Sequence, residues 1–246
     1  MPTSLTCFVT GAGSGIGEAL AHALAKRGHT VFAGVLPSQK SQAEAAFAAV
    51  GAKPPRVVPV DVTDEASVDA AAAFVADRTR HLDAVINVAG VIGITSATPP
   101  AAFDYADIHR TFDVNAVGPL RVANALFPLL LGGRTRLVLN ISSEAGSVGT
   151  CTRDAWYGYC MSKAALNMAS ALLHNRLRPL GGKVLVMHPG WVRTRMGGKL
   201  ETRAPLSPEE SAEAILVQVG RALSDEPAFT GDRPAFVDWR GIPVPW

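Results

Sequence analysis

Apolar runs of strand length alternate along this chain with alanine-rich stretches of helical length, from one end to the other. Parallel strands need a crossover of a dozen residues or more, and a helix packed on the sheet is the usual crossover. The alternation therefore predicts an α/β fold of βαβ units: a doubly wound parallel sheet with helices on both faces. Strands are expected at 5–10, 30–36, 56–61, 83–87, 136–142 and 183–188, with a short one at 235–237. Helices are expected to begin near Gly15, Ser41, Asp64, Tyr105, Gly118, Tyr157 and Ser207. The last has the clearest start, Ser207-Pro208-Glu209-Glu210, with an N-cap hydroxyl, a proline at the first helical position and a glutamate placed to close a capping box. Residues 190–206 lack periodicity and read as a long functional loop.

With 246 residues, 48% of them hydrophobic, the chain has material for one core, and 1–246 is expected to be a single domain. Its 23 basic and 21 acidic residues nearly cancel, so neither nucleic acid nor a membrane surface is an expected partner. Cys7, Cys151 and Cys160 fit neither a disulfide framework nor a zinc site, which points to the cytoplasm. The six histidines have no ligand spacing, and no metal is expected. No targeting segment is evident, so the mature chain is expected to begin at Met1. The apolar stretch 117–131 contains Arg121 and Pro128, is too short to span a bilayer, and reads as a buried helix.

Three features carry chemistry. The first strand leads into Thr10-Gly11-Ala12-Gly13-Ser14-Gly15-Ile16-Gly17 and then a helix. Glycines permit close backbone approach of a diphosphate, and the helix start supplies unpaired N–H donors. Many strand-to-helix turns carry glycine for geometry alone, and the missing Gly-Lys-Ser/Thr ending argues against a P-loop. Next, Tyr159 and Lys163 stand at i and i+4 on one helix face, where an ammonium would stabilise a phenolate and make an acid/base pair. Tyr157, six residues before Lys163, points to another face. Third, the strand ending Leu139-Asn140-Ile141-Ser142-Ser143 puts hydroxyls at a carboxyl end of the sheet, where ligands of open parallel sheets bind. These hydroxyls, like Asn115, could equally serve only as caps and turn formers.

Taken together, these residues resemble the short-chain dehydrogenase/reductase family over essentially the whole chain. Thr10 to Gly17 match its T-G-x-x-x-G-x-G loop, Asn87-Val88-Ala89-Gly90 its N-N-A-G, and Asn115, Ser143, Tyr159 and Lys163 its catalytic tetrad. Tyr157-Gly158-Tyr159, the segment from His188 to Gly198 and the terminal Pro245-Trp246 look like the C-factor or sniffer-type carbonyl reductase branch. Val88 departs from the second asparagine, Arg195 stands where that branch is usually acidic, and the second strand ends without the usual cofactor-selecting residue.

The resemblance implies hydride transfer between a nicotinamide and a carbonyl or alcohol carbon. Tyr159 would be the proton donor, Ser143 would hydrogen-bond the reacting oxygen, and Lys163 would hold the nicotinamide ribose and lower the pKa of Tyr159. Asn115 would anchor a water linking Lys163 to solvent. Gly11, Ser14, Gly15, Ile16 and Gly17 would wrap the diphosphate, Asp61 and Val62 would flank the adenine, and Asn87, Ala89 and Gly90 would line the ribose side. Pro189, Val192 and Thr194 would approach the carboxamide and phosphates. No acid follows the second strand, so NADP(H) is favoured over NAD(H), with Ser38 and Lys40 as phosphate partners.

Substrate is expected under 144–156 and 190–206, where Val148, Trp156, Trp191 and Met196 suggest an apolar pocket and Arg193 and Arg195 read as solvated or cofactor contacts. A homodimer or homotetramer is expected, pairing the Tyr159 helix with its neighbour. The alternatives weighed are a nicotinamide-sensing protein without turnover, a methyltransferase, and a sugar-nucleotide epimerase, for which the chain is too short.

Overall fold

The computed structural model describes residues 4–50, 53–224 and 226–246. The expected start of the mature chain at Met1 falls on residues outside that description. Seven strands form one sheet: β1 Thr6–Val9, β2 Thr30–Val35, β3 Arg56–Pro59, β4 Ala84–Asn87, β5 Leu137–Ile141, β6 Lys183–His188 and β7 Ala235–Asp238. Their order is β3-β2-β1-β4-β5-β6-β7, and every neighbouring pair is parallel. The fold is the expected doubly wound α/β sheet, of the Rossmann type.

The helices are α1 Gly15–Lys26, α2 Lys40–Phe47, α3 Glu65–Ala76, α4 Tyr105–Phe112, α5 Gly118–Ala125, α6 Phe127–Leu131, α7 Tyr157–Leu177 and α8 Pro208–Leu223. Alternate residues of each strand feed opposite faces, and two cores result. Cys7 and Val9 pack with Leu20 and Leu24 of α1 and Ile215 and Val219 of α8. Phe8 points the other way, into a cluster with Val68 of α3, Val122 of α5 and Leu177 of α7. All five residues of β5 are buried, as a strand covered on both faces requires. Each large side chain so buried stabilises the fold by roughly 1.5–3 kcal/mol before ordering costs.

The capping box at α8 forms as its residues foretell: Ser207 Oγ accepts from Glu210 N at 3.1 Å, and Glu210 Oε2 accepts from Ser207 N at 2.7 Å. The stretch 117–131 does not form one buried helix. It breaks at Leu126 (φ −90°, ψ 0°) between α5 and α6, because Pro128 has no N–H and its ring crowds the carbonyl four residues back. Val117 and Leu120 are also exposed.

From β1 the chain adds β2 and β3 on one side, then returns to place β4 and later strands on the other. The loops leaving β1 and β4 therefore diverge and open a crevice at the carboxyl ends of the strands.

Candidate active site

One wall of the crevice is built from backbone. Thr10 Oγ1 accepts from Val88 N at 3.0 Å and Ala89 N at 3.2 Å, stitching the turn after β1 to the turn after β4. Gly11 sits at φ +66°, and a Cβ there would lie 2.8 Å from Ala89 N and Cα. At Gly17 a Cβ would strike the Gly11 carbonyl, so α1 settles directly onto its own entry loop. Ser14 is the N-cap of α1, but its hydroxyl caps nothing. The first-turn N–H groups thus have no side-chain acceptor, and they form the positive end of the helix dipole. Ile16 anchors the turn against the core. Above it, Thr194 Cγ2 would lie 3.3 Å from a Cβ on Gly15, so the loop 190–206 crosses over the start of α1.

That loop is fastened at its root. Val192 bridges Leu206, the Pro189 carbonyl accepts from Ser211 Oγ of α8 at 2.8 Å, and Arg193 donates to the carbonyls of Ala204 and Pro205. Arg193 is therefore a loop brace, whereas Arg195 is exposed. Of the four residues expected to make an apolar pocket, Met196 comes closest: its Cε would lie 3.7 Å from a Cβ on Gly90. Trp156 stacks edge-on against Tyr159, while Val148 and Trp191 are exposed.

Other expected cofactor residues have duties of their own. Asn87 is buried and donates to Asn140 Oδ1 at 2.8 Å, and Asn140 donates to Ser170 Oγ at 2.8 Å. This ladder fixes the turn that carries Ala89 and Gly90. Asp61 Oδ1 accepts from Thr63 N and Oγ1, which closes the turn after β3, and the Val62 carbonyl accepts from Arg121. Ser38 is exposed on the short turn Pro37–Gln39, and Lys40 lies 3.6 Å from Glu44. The neighbour overlooked in the sequence is Gln39, whose side chain lies where a Cβ on Gly13 would collide with it. Nothing in the spacing of residues 37–40 singles it out.

The facing wall is built from side chains. Asn115 lies on a five-residue π-helical turn between α4 and α5 and is fully buried. Its Nδ2 donates to the Val91 carbonyl at 2.8 Å and Ser162 Oγ at 3.0 Å, and its Oδ1 accepts from Val91 N at 2.8 Å. Both of its donors are thereby engaged, and the β4 turn is tied to α7. Lys163 Nζ donates to the Ile141 carbonyl at 2.9 Å, lies 5.8 Å from the centre of the Tyr159 ring, and would be 3.7 Å from a Cβ on Gly90. Gly146 has no side chain to strike the Lys163 backbone, which lets α7 approach this closely.

Burial pushes Lys163 down to about 8 and pushes the Tyr159 phenol up to about 12. The direction for Tyr159 is opposite to the expected lowering by Lys163. Burial outweighs the lowering effect of the contact with Ser143, and the Glu144 carboxylate adds to the rise.

Ser143, Tyr159, Lys163 and Asn115 thus meet at the carboxyl ends of β4 and β5, beside the glycine wall. A second group surrounds Ser143 that the sequence did not reveal. The Ser143 hydroxyl donates to Glu144 Oε2, Arg153 Nη2 donates to Glu144 Oε1 at 2.6 Å, and His188 Nδ1 stands 4.0 Å from Oε2. Burial works to raise the Glu144 pKa, but Ser143, His188 and Arg153 together hold the carboxyl below its usual range. The only signal in the sequence is an acid directly following Ser143. Among the described residues no helix is long and apolar enough to cross a membrane, and no cluster of metal-ligating side chains forms.

The pocket is suited to a nicotinamide dinucleotide. The first-turn N–H groups of α1 have no side-chain cap to compete with a diphosphate, and Gly90 beside Lys163 brings a buried ammonium to the ribose side.

Comparison with known proteins agrees. The family described as short chain dehydrogenase matches residues 6–205. C-signal of Myxococcus xanthus is 42% identical over 168 residues, 68% of this chain and 95% of that protein. The crystal structure of an NADPH-bound carbonyl reductase from chicken fatty liver superimposes with a TM-score of 0.81 at 31% identity, covering 99% of both chains. Carbonyl reductase Sniffer of D. melanogaster superimposes at 0.82 with 25% identity, covering 99% of this chain and 100% of that one.

Proposed function

The chain belongs to the short-chain dehydrogenase family, and from that premise we propose that it moves hydride between a nicotinamide cofactor and a carbonyl or secondary-alcohol carbon of a small apolar substrate. The observation that carries this reading is the meeting of Asn115, Ser143, Tyr159 and Lys163 beside the glycine crevice. The cofactor supplies the hydride. Gly11, Ser14, Gly15, Ile16 and Gly17 would hold its diphosphate and Asp61 and Val62 its adenine. Asn87, Ala89 and Gly90 would line the ribose side, Tyr159 and Lys163 the nicotinamide ribose, and Pro189, Val192 and Thr194 the carboxamide and phosphates.

In the reductive direction Tyr159 keeps its proton at neutral pH and gives it to the oxygen that gains charge, while Ser143 donates a hydrogen bond to the same atom. Lys163 can return a proton to Tyr159, since with a pKa of about 8 it is mostly charged near neutrality but not unshakeably so. With both Asn115 donors engaged, a water that it anchors is held through an acceptor oxygen. In the oxidative direction the same groups run in reverse.

We read NADP(H) as preferred, supported by the lack of an acid after β2 and by the NADPH held by the chicken relative. If Ser38 and Lys40 bind the 2′-phosphate, Ser38→Ala and Lys40→Ala each weaken NADPH several-fold in a fluorescence titration and leave NADH unchanged. Equal NADPH affinity in both variants removes them from that role. Residues 1–246 are read as one nicotinamide-binding domain with 190–206 as the substrate-covering loop, in a cytoplasmic protein with three free cysteines. Val117 and Leu120, together with Met161, Met168 and Leu172 of α7, are exposed apolar side chains suited to a homodimer or homotetramer, which light scattering would report.

The test is nicotinamide absorbance loss with NADPH, then NADH, across aldehydes, ketones and diketones, repeated with Tyr159→Phe. Turnover should fall at least about a hundredfold in the variant with cofactor binding retained. Turnover that survives the substitution would sink the acid/base assignment. A second reading, a signalling protein that binds nicotinamide without turning over, is favoured by the C-signal relative. It predicts tight cofactor binding and no turnover in either direction.

A further inference from the structure

We propose that Glu144 is a positioning residue that brakes the reaction: its carboxylate holds the one proton Ser143 can donate, and the reacting oxygen must take that hydrogen bond away. The inference rests on the proposed hydride transfer with Ser143 beside the reacting oxygen. A serine hydroxyl has a single donor and two acceptor positions. Ser143 Oγ accepts from Ala145 N at 3.1 Å and is hydrogen-bonded to the Tyr159 phenol, while its proton points to Glu144 Oε2. The group that should greet the substrate is therefore turned toward a carboxylate.

Glu144 is not a loosely waving surface acid. Arg153 grips Oε1 at 2.6 Å, and Ala145 N donates to Oε2. Arg153 lies 5.4 Å from the centre of the Trp156 ring, and that ring stacks on Tyr159, so the clamp is tied to the catalytic side chain. His188, at the end of β6, faces Oε2 with Asp238 and Arg240 behind it, and Tyr159 and Cys160 face the group from α7. An ionised carboxylate outcompetes a neutral carbonyl for a hydroxyl donor, and only a developing alkoxide matches it. Ser143 consequently gives its hydrogen bond late, and a ground-state carbonyl meets Tyr159 without it.

The experiment is a double-mutant cycle on kcat and KM with whichever ketone or aldehyde the wild type reduces. Glu144→Ala should raise kcat/KM about tenfold, mostly as a lower KM, because freed Ser143 can bind the ground-state carbonyl. Glu144→Gln keeps an acceptor without the charge and should give a smaller rise. In a Ser143→Ala background, Glu144→Ala should change little. Thermal unfolding of each variant guards against a folding defect. A fall in kcat/KM for Glu144→Ala, no change, or the same factor in both backgrounds overturns the brake. If Ser143→Ala and Tyr159→Phe themselves retain full turnover, the catalytic reading fails and the inference goes with it. If they lose turnover while Glu144 shows no coupling to Ser143, the brake alone fails.

Discussion

On the glycine wall of the crevice the contacts run onto backbone: Val88 N and Ala89 N donate to the Thr10 hydroxyl, Gly11 lies against Ala89 and Gly17 against Gly11. On the tyrosine wall they run through side chains that titrate or carry charge: Lys163, Tyr159, Glu144, Arg153 and His188. Apart from the Gln39 side chain over Gly13, the first wall has no adjustable part. Its shape follows from where atoms are missing, and it should be intolerant of added volume and indifferent to pH. The second is a set of balances between burial, which favours neutral groups, and neighbouring charges, which favour ionised ones. It should tolerate isosteric change in shape and respond to pH and charge.

The strongest way to break this contrast is Gly11→Val. The new side chain meets the Ala89 backbone at a positive φ, so about 3 kcal/mol of stability should be lost in chemical denaturation, and NADPH titration should show little binding. Retained stability would mean that the backbone wall is softer than its contacts indicate.

The next effect belongs to the other wall. Lys163 is lowered from 10.5 to about 8 in the folded protein, so between those values the unfolded chain holds more protons. Wild-type stability should therefore rise from pH 8 toward 10, by up to roughly 1.4 kcal/mol per pH unit relative to Lys163→Met. Above pH 10 the raised Tyr159 pulls the other way, because the folded state then keeps a proton that the unfolded state loses. Parallel slopes for wild type and variant between pH 8 and 10 would show that Lys163 is better solvated than its burial indicates.

The smallest effect sharpens the comparison within the glycine wall itself. At Gly13 the obstacle to a Cβ is the Gln39 side chain, which can swing aside. Gly13→Ala should cost less than about 1 kcal/mol, against the much larger loss at Gly11. Equal losses at the two glycines would mean that Gln39 is as fixed as backbone.

The seven strands were legible because each carries a short apolar run, and the capping box at Ser207 because its residues act within one turn. Tyr159 and Lys163 were legible for the same reason: a helix period places them on one face. The break at Leu126 was hidden by a continuous apolar run, although Pro128 marked it. Gln39 over Gly13, the Asn87–Asn140–Ser170 ladder and the Glu144–Arg153 clamp on Ser143 were not legible, since each joins residues that local periodicity does not connect.

By itself the sequence determined the alternation of strands and helices, the glycine turn and the identity of the groups able to carry a proton. These depend on interactions within a few residues, which periodicity and turn chemistry record. Tertiary structure alone decided the strand order that opens the crevice and the burial that sets Tyr159 and Lys163 about four units apart. It also decided where the Ser143 proton points. Desolvation and hydrogen-bond direction are properties of everything packed around a group, and the chain supplies those neighbours only once it has folded.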